Sequence, residues 1–394
     1  MTMKTQVKRI LRANCPNLKA LRRLLALAKL HEFRRYNLDT SLISDVENHR
    51  VCLDEAVRVC SDRWTNEFNR ISMLAREHYT RAGKNLSDDV HSDILFCYFA
   101  YGFMPDEYMC FGLEEAPAAV RRSFASDRDR KIMVYSVNDI IEIERFLDKW
   151  KTYKAYGDCY GRSAVHISKE SDYDAYEKFV KAHDFFVSKN VRLSKGDSVC
   201  LVKRGEIDNL RRFFEETLAQ GESMLEELIV QSADMAALNP TSVNTVRVIT
   251  FATSDGIEVT DCFLKVGRGG SFVDNGGAGG LLVGIDSETG LLLTDGRDEF
   301  ANSYTKHPDT GIRFIGTQLP EWNDLINLAK MISAREEAIR YIGWDFAHTA
   351  TGWVVVEGNA SGQLIGPQIV TQKGSRSRIL NTLSHVEQIV PVAI

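Results

Sequence analysis

The stretch "GWDFAHTATGWVVVEGNASG", residues 343–362, carries two acids and an amide on a segment that turns back on itself. The residues before and after the tripeptide Ala-Thr-Gly at 350–352 are rich in β-branched and aromatic types, which is typical of strands. A loop of these three residues, with glycine in the left-handed position, predicts a β-hairpin in which Thr349 faces Trp353.

The same register places Asp345 opposite Glu357. Because side chains alternate along a strand, Val355, Glu357 and Asn359 would point to one side, so two carboxylates and an amide converge. Directly opposed carboxylates repel each other, and residues 341–372 contain no lysine or arginine to separate them. Oxygen ligands with open positions suit Mg²⁺, which completes its shell with water and phosphate. A register one residue different would instead turn one acid to solvent.

Length and composition indicate a globular protein of more than one subdomain. A chain of 394 residues exceeds one ordinary core, and its 44% hydrophobic and 26% charged residues are ordinary for a soluble protein. The eight cysteines are scattered without a CxxC pair, which disfavours a zinc site or a disulfide scaffold. Because no signal-peptide core or membrane-spanning run is present, we expect a cytoplasmic protein.

Positive charge is concentrated at the N-terminus. Residues 1–36 carry ten Lys/Arg against one acid, whereas the rest of the chain has a net charge of −14. Leu18, Leu21, Leu25 and Ala28 recur at helical spacing, which predicts a basic amphipathic helix. This helix could contact an anionic membrane surface, or it could pack its leucines on the body, which we favour. Nucleic-acid binding is disfavoured by the overall charge of −5.

The pattern along the chain predicts an α+β fold in three regions. Residues 1–125 have helical spacing, residues 126–222 alternate strands and helices, and residues 223–394 are rich in strands. The stretch "KIMVYSV" at 131–137 is expected to be the first strand, because it is short and rich in β-branched and aromatic residues.

Three segments resemble a known family. "LIVQSADMAALNPTSVNTVRVIT" (228–250), "GGSFVDNGGAGGLLVGIDSETG" (269–290) and "GWDFAHTATGWVVVEGN" (343–359) are similar to segments of the sugar-transfer associated ATP-grasp family. The resemblance extends over about residues 98–385 and is carried by SVNTxR, VDN, WD and ExN in that order. It implies an ATP-grasp fold, in which two α/β subdomains clasp ATP, preceded here by a helical N-terminal region. The subdomains would comprise residues 126–222 and 223–394.

The resemblance also implies ligands for ATP and its metal. Mg²⁺, for which Mn²⁺ could substitute, would be held by Asp345, Glu357 and Asn359. The implied nucleotide contacts are Lys149 and Lys189 for the phosphates, Glu226, Glu227 and Leu228 for adenine, and Glu226 or Gln231 for the ribose. For a lysine at a strand end such as Lys189, a solvated terminus is the plainer alternative.

Arg247 would point to the transferring phosphate, and Arg268, Asp274 and Asn275 would border the acceptor site. Arg247 shares a strand face with two apolar side chains, and a buried arginine needs a partner. Asp274 could be that partner in a structural ion pair, which is the alternative to a catalytic role for Arg247.

The implied reaction is ATP-dependent ligation of a carboxylate to an amine through an acylphosphate, with release of ADP. The carboxylate would be an amino acid or a sugar acid, in surface-polysaccharide assembly or modification. A phosphotransferase and a non-catalytic nucleotide-binding scaffold remain alternatives. ATP-grasp proteins usually close a glycine-rich loop over the triphosphate, whereas residues 189–197 here contain one glycine, Gly196. Lys195 could supply charge instead.

Overall fold

The structure is a computed structural model that describes residues 18–38, 49–193, 199–272, 274, 279–392 and 394. Within these residues, the helices of the N-terminal part are α1 (Leu18–Arg34), α2 (His49–Arg63), α3 (Thr65–Arg81), α4 (Asp88–Tyr101), α5 (Pro105–Cys110) and α6 (Ala118–Ser123). The later helices are α7 (Asp127–Val137), α8 (Ile140–Phe146), α9 (Lys149–Tyr156), α10 (Tyr173–Ala182), α11 (Leu210–Ala219), α12 (Ala233–Leu238), α13 (Trp322–Ser333), α14 (Ile365–Thr371) and α15 (Arg376–Leu383). The fold is therefore α+β, as predicted.

The strands form two antiparallel sheets. The smaller sheet has the order β1-β4-β2-β3 and comprises β1 (Ala164–Ile167), β2 (Phe185–Asn190), β3 (Cys200–Lys203) and β4 (Ser223–Glu227). The larger sheet has the order β11-β10-β5-β6-β7-β8-β9. Its strands are β5 (Thr245–Thr253), β6 (Gly256–Val266), β7 (Leu281–Gly284), β8 (Gly296–Arg297), β9 (Ser303–Tyr304), β10 (Tyr341–Thr349) and β11 (Gly352–Asn359).

The smaller sheet is covered on one face by α10 and α11. Tyr176, Phe179 and Val180 recur at helical spacing on α10, and they pack against Phe186 and Leu225 of the sheet. The other face carries Lys189 and Glu226 together with Val187 and Met224, and Glu226 contacts Arg162 there. Because β4 begins at residue 223 and pairs within this sheet, a boundary after β4 fits the pairing better than the predicted boundary at 222/223. The subdomain limits themselves remain a prediction.

The larger sheet is buried by α7, α8 and α13 in the main core. Trp344, which is fully buried, lies edge-on to Phe146 of α8 and to Tyr156 of α9. The ring packs so closely on Gly358 of β11 that a Cβ there would lie 2.4 Å from it. These contacts fix one face of the hairpin β10–β11 and leave its other face for polar side chains.

The stretch 131–137, predicted to be a strand, is instead the second half of α7. The helix begins after Ser126, whose hydroxyl accepts a hydrogen bond from the Asp129 amide while the Asp129 carboxylate accepts one from the Ser126 amide. This capping box lies before the stretch, so the β-branched residues continue a helix that has already begun. The apolar side chains of the stretch enter the core as helix residues, and the strand prediction was wrong.

Helix α1 packs on α7 through one face. Leu21, Ala26 and Leu30 are buried, and Ala26 and Leu30 lie in one apolar cluster with Ile132 of α7. The basic helix was predicted correctly. Its buried face, with Leu21, Ala26 and Leu30, is rotated relative to the predicted face, which included Leu25 and Ala28. Within the described residues, no helix is both long enough and apolar enough to cross a membrane.

Candidate nucleotide and metal site

The hairpin β10–β11 turns more tightly than predicted. Thr349 pairs with Gly352, so only two residues lie in the turn, and Trp353 pairs with His348 rather than Thr349. Gly352 has a φ of +104°, a conformation that glycine adopts without strain. The predicted three-residue loop was therefore wrong by one residue.

A β-bulge further along β11 compensates for the shorter turn. Phe346 pairs with Val355, whereas the neighbouring Asp345 pairs with Glu357, which leaves Val356 as the extra residue. One residue fewer in the turn and one more in the strand cancel. The predicted pairing of Asp345 with Glu357 is thus present in the structure, although the predicted route to it was not.

The bulge also decides which side chains share the polar face. Val355 lies before it and is fully buried in the main core, so the predicted convergence of Val355 with Glu357 was wrong. Glu357 pairs with Asp345 and Asn359 pairs with Gly343, so both lie on the Asp345 face. We call this surface the acid face: Asp345, Glu357 and Asn359.

Two cations from neighbouring strands compensate Asp345. Arg247 of β5 donates from Nε to Oδ1 at 2.5 Å and from Nη2 to Oδ2 at 2.8 Å, and Lys265 of β6 donates to Oδ2 at 3.0 Å. Arg247 thus has a buried partner, which is Asp345 rather than the predicted Asp274. Asp274 accepts hydrogen bonds from the amide and hydroxyl of Thr245 and lies 4.0 Å from Lys265 Nζ.

The protonation of this face follows from burial and from these cations. Burial raises the pKa of Asp345, but Arg247 and Lys265 outweigh burial and lower the pKa to about 2. Burial raises the pKa of Asp274, and Lys265 and Thr245 do not fully offset that effect. Asp345 is therefore an anion at neutral pH, held between two fixed positive charges.

Glu357 is the acid with coordination sites to spare. Its carboxylate forms no ion pair or hydrogen bond with any residue of the described ranges, and the residue is only half-buried. Asn359 uses its amide oxygen for the Ser361 amide at 3.2 Å. A carboxylate offers about four lone-pair positions, so Asp345 with three hydrogen bonds keeps about one.

These oxygen atoms could occupy part of the coordination shell of Mg²⁺. Glu357 and Asn359 would bind directly, and Asp345 would bind through its remaining lone pair, with water and phosphate completing the shell. Clusters of three or more His, Cys, Asp or Glu suited to a metal are absent from the described ranges, so a metal here depends on the amide and on phosphate. The face therefore suits a hydrated cation that arrives with a phosphate.

Lys189 faces a second buried charge cluster. Its Nζ lies 2.7 Å from Glu226 Oε1, and Arg162 donates to Glu226 Oε2 from Nε at 3.1 Å and from Nη2 at 3.0 Å. Burial lowers the pKa of Lys189, whereas Glu226 opposes that effect. Lys189 is only 7% exposed, so the solvated-terminus alternative is wrong. To bind a phosphate, Lys189 would exchange Glu226 for it, and Arg162 would still compensate Glu226.

The other predicted nucleotide ligands are distributed unevenly. Lys149, at the start of α9, is half-buried and donates to the Leu193 carbonyl oxygen, next to residues 194–198, which lie outside the described ranges. The predicted lid, with Lys195 and Gly196, falls in that segment. Glu227 accepts a hydrogen bond from the Ser163 amide and one from His183 at 2.9 Å.

Leu228 and Gln231 lie on the link from β4 to the larger sheet. Leu228 is half-buried and follows the strand, with its backbone outside the ladder. The Gln231 amide donates to the carbonyl oxygens of Asn239 and Ser242 at 2.9 and 2.7 Å and accepts from the Asn244 amide at 3.0 Å. The Gln231 side chain therefore stabilises the link through three hydrogen bonds to backbone groups, and few of its donor and acceptor positions remain for a ribose.

The predicted acceptor residues belong, in sequence, to the glycine-rich segment 266–280. Arg268 donates to the Gly279 carbonyl oxygen at 2.6 Å and to Asp298 at 3.1 Å, and its guanidinium lies 4.8 Å from the Tyr304 ring centroid. Asn275 lies outside the described residues. Arg268 is therefore fixed at one border of this segment with a carboxylate partner that the sequence pattern did not reveal.

Two charged residues of the site were missed from sequence. Lys265 had a usable signal, since it interrupts the apolar run "CFLKV" on a strand that pairs with the Arg247 strand. Arg162 had no signal, because its partners lie on two other strands distant in sequence. Long-range pairing, rather than local pattern, places both side chains.

Comparison with known sequences connects the site to a family. The sequence pattern described as sugar-transfer associated ATP-grasp matches residues 137–388, which include both the acid face and the Lys189 cluster. No protein of curated function matches the chain in sequence.

Among solved structures, several ligases are similar in fold at low identity. The D-alanine–D-alanine ligase of Bacillus anthracis complexed with ATP is 12% identical with a TM-score of 0.40, over 64% of this chain and 69% of that chain. D-alanyl-alanine synthetase A of Vibrio cholerae O1 biovar eltor is 10% identical with a TM-score of 0.39, over 61% and 66%. The ATP-grasp ligase PsnB, complexed with a minimal precursor, is 13% identical with a TM-score of 0.36, over 59% and 57%. The chain thus spans less than two thirds of PsnB and of the Vibrio enzyme.

Proposed function

Because the chain belongs to the sugar-transfer associated ATP-grasp family, we propose that it is an ATP-dependent ligase that joins a carboxylate to an amine, with Mg²⁺ as its metal. The carboxylate would be a small molecule such as an amino acid or a sugar acid. The association of the family with sugar transfer supports a role in assembling or modifying a surface polysaccharide.

The observation that carries the proposal is the unpaired Glu357 beside a fully compensated Asp345. Arg247 and Lys265 compensate Asp345, whereas Glu357 forms no ion pair among the described residues and interacts with Arg247 and Lys189 only at longer range. A carboxylate without an ion pair, next to Asn359 on a largely buried face, favours a bound cation. Lys189 of the smaller sheet could bind a phosphate, so we expect the cation to bind together with a phosphate group.

The chemistry that fits these groups needs no covalent enzyme intermediate. A carboxylate oxygen of the acceptor attacks the γ-phosphorus of ATP, and the bond from that phosphorus to ADP breaks, which gives an acylphosphate. The amine nitrogen then attacks the acyl carbon, phosphate leaves with the C–O bonding electrons, and the nitrogen loses a proton to give the amide. A bound Mg²⁺ supplies neutralisation of charge on the phosphate oxygens.

The residues of the chain would position the reactants. Lys149 and Lys189 would hold the nucleotide phosphates, and Arg247 would face the group in transfer while it fixes Asp345. Arg268 and Asn275 would border the acceptor. Each role is electrostatic, which agrees with a site built from buried charges rather than from a nucleophile and its base.

Thermal unfolding with a non-hydrolysable ATP analogue, with and without Mg²⁺, tests this function. Analogue at about a hundred times its dissociation constant should stabilise the native state by roughly 2.7 kcal/mol. We expect a stabilisation that requires Mg²⁺ in the wild type and that is lost in Glu357→Gln. Glu288→Gln is the matched control, because Glu288 is an exposed turn residue after β7 of the larger sheet.

Three outcomes would contradict the proposal. An absence of any shift in the wild type at millimolar analogue would remove nucleotide binding and leave the non-catalytic alternative. Equal shifts in Glu357→Gln and the wild type would remove the metal site while leaving nucleotide binding. A stable phosphorylated acceptor, formed without amide even when amines are supplied, would favour the phosphotransferase alternative.

The outward face of α1 supports peripheral contact with an anionic membrane. Leu24 and Leu27 are 54% and 47% exposed on the side opposite the packed residues, and two exposed arginines lie on and directly after the helix, Arg23 and Arg35. Arg35 lies 5.4 Å from the ring centroid of Tyr36, an amphipathic residue typical of membrane interfaces. We propose that this face binds anionic lipid headgroups with leucines inserted between them.

Sedimentation with vesicles tests this contact. Binding to vesicles of phosphatidylcholine with phosphatidylglycerol, but not to phosphatidylcholine alone, is expected and should weaken in high salt. The double variant Leu24→Gln/Leu27→Gln should lose it, whereas Leu147→Gln/Leu293→Gln, at comparably exposed leucines, should not. Equal binding by both double variants would contradict the proposal.

We place the reaction in the cytoplasm, where ATP is available. The cysteines with described side chains are free thiols, which a reducing compartment would preserve.

A further inference from the structure

Arg162 lies between the two sheets and contacts both. Its guanidinium holds Glu226 of the smaller sheet, as described, and also donates from Nη1 to the Val355 carbonyl oxygen at 2.7 Å. Nη2 reaches the Val356 carbonyl oxygen at 3.4 Å. Only 9% of the residue is exposed. A single side chain thus joins the charge cluster around Lys189 to the strand that carries Glu357.

The two carbonyl groups belong to the bulge of β11. This strand is the edge of the larger sheet, so its outer carbonyl groups have no neighbouring strand to bond. A bulge leaves its extra residue outside the ladder, and its direction must be fixed by other contacts. Arg162 supplies such contacts to Val355 and Val356, the two residues directly before Glu357.

The approach of this arginine is enforced by its own loop. Gly161 has a φ of +58° and packs on Val354 so closely that a Cβ would lie 2.6 Å from a methyl of that residue. Tyr160 is buried in the main core and accepts a hydrogen bond from Arg162 at 3.0 Å through its carbonyl oxygen. The guanidinium is therefore held against β11 rather than free to follow Glu226.

We propose that Arg162 is a positioning residue for the metal site: it fixes the bulge and thereby the direction of the Glu357 carboxylate. The proposal rests on the proposed function, since it assigns Arg162 a role toward the cation at Glu357. Because the same guanidinium compensates Glu226, it also keeps Glu226 neutralised when Lys189 transfers to a phosphate. Arg162 would thus both orient the Glu357 carboxylate and allow Lys189 to leave Glu226 for a phosphate.

Arg162→Lys tests this role, because lysine keeps the charge beside Glu226 but lacks the planar fork that reaches two carbonyl groups as well. The measurement is the Mg²⁺ concentration at half-maximal thermal stabilisation by a fixed excess of the ATP analogue. We expect this midpoint to rise about tenfold in Arg162→Lys and further in Arg162→Gln, because these variants lose one or both hydrogen bonds to the carbonyl oxygens of Val355 and Val356.

Arg121→Lys is the matched control. Arg121 is also buried, bonds a carboxylate (Asp93) with two nitrogens and donates to the Ala116 carbonyl oxygen, but it lies in the N-terminal helices. This variant should melt earlier without ligand and keep its Mg²⁺ midpoint within twofold. If both Arg162 variants also keep the wild-type midpoint while melting earlier, Arg162 is only structural and the inference is overturned. A wild type without Mg²⁺-dependent stabilisation would instead overturn the proposed function, and the inference with it.

Discussion

Replacement of Asn138 by alanine should loosen the acid hairpin at its open end. Asn138 follows α7 and is fully buried, and its Nδ2 donates to the carbonyl oxygens of Tyr341 and Ala360, both at 2.8 Å. Its Oδ1 accepts from the amides of Arg340 at 2.7 Å and Tyr341 at 2.8 Å. One side chain therefore clamps the entry to β10 and the exit from β11.

The expected cost follows from these four bonds. A buried hydrogen bond contributes about 1 kcal/mol net, and a buried backbone group left without a partner costs about 1–3 kcal/mol. Asn138→Ala removes all four bonds at once, so we expect a loss of about 4 kcal/mol or more, which makes the variant one of severe destabilisation. Since 1.4 kcal/mol is a factor of ten, opening of the hairpin should become about a thousandfold more frequent.

Native-state hydrogen exchange measures this opening locally. The Arg340 and Tyr341 amides should lose protection strongly in Asn138→Ala, and the denaturant midpoint should fall. Asn381→Ala, at an exposed helix position, should change stability by about 0.5 kcal/mol or less. If the Tyr341 amide keeps its protection in Asn138→Ala, the clamp does not hold the hairpin and the reasoning is refuted.

Three further predictions address the core, the link and pH. Gly358→Ala should cost about 1–3 kcal/mol or more, measured by the melting temperature, because its Cβ would lie 2.4 Å from the buried Trp344 ring. Gln231→Ala should destabilise by roughly 3 kcal/mol through its three lost hydrogen bonds yet change affinity for the ATP analogue, measured by calorimetry, by less than threefold; a tenfold loss would support the predicted ribose contact. Burial lowers the pKa of His78, so its contribution to stability is present above about pH 6.5 and is lost as pH falls through its folded-state pKa. Denaturant midpoints between pH 7.5 and about pH 5 should therefore fall less in His78→Leu than in the wild type, and parallel profiles would contradict this.

The sequence predicted the elements whose local pattern is strong and the acids that pair across one hairpin. It failed where a distant residue decides. Arg162 meets its partner Glu226 only through the folding of distant strands, and no local spacing indicates that contact; Lys265 interrupts an apolar run, but its partner Asp345 also lies on a strand distant in sequence. The strand prediction for 131–137 failed for a local reason, because the capping box of Ser126 and Asp129, just before the stretch, starts a helix that the β-branched residues continue. The Asp345–Glu357 pairing was predicted from two local assumptions, a longer turn and a regular strand, whose errors cancelled.

That cancellation has a consequence for chain length. The pairing of Asp345 with Glu357 does not depend on the turn length alone. A turn that is one residue shorter gives the same pairing when the strand contains one extra residue, as it does here at Val356. For the pairing of Asp345 with Glu357, a residue deleted in the turn can therefore be offset by a residue inserted at Val356, although the side chains between them then change partners. A related protein with one residue fewer between its acids could keep the same pair by lacking the bulge, and would then need no arginine at its edge to hold one.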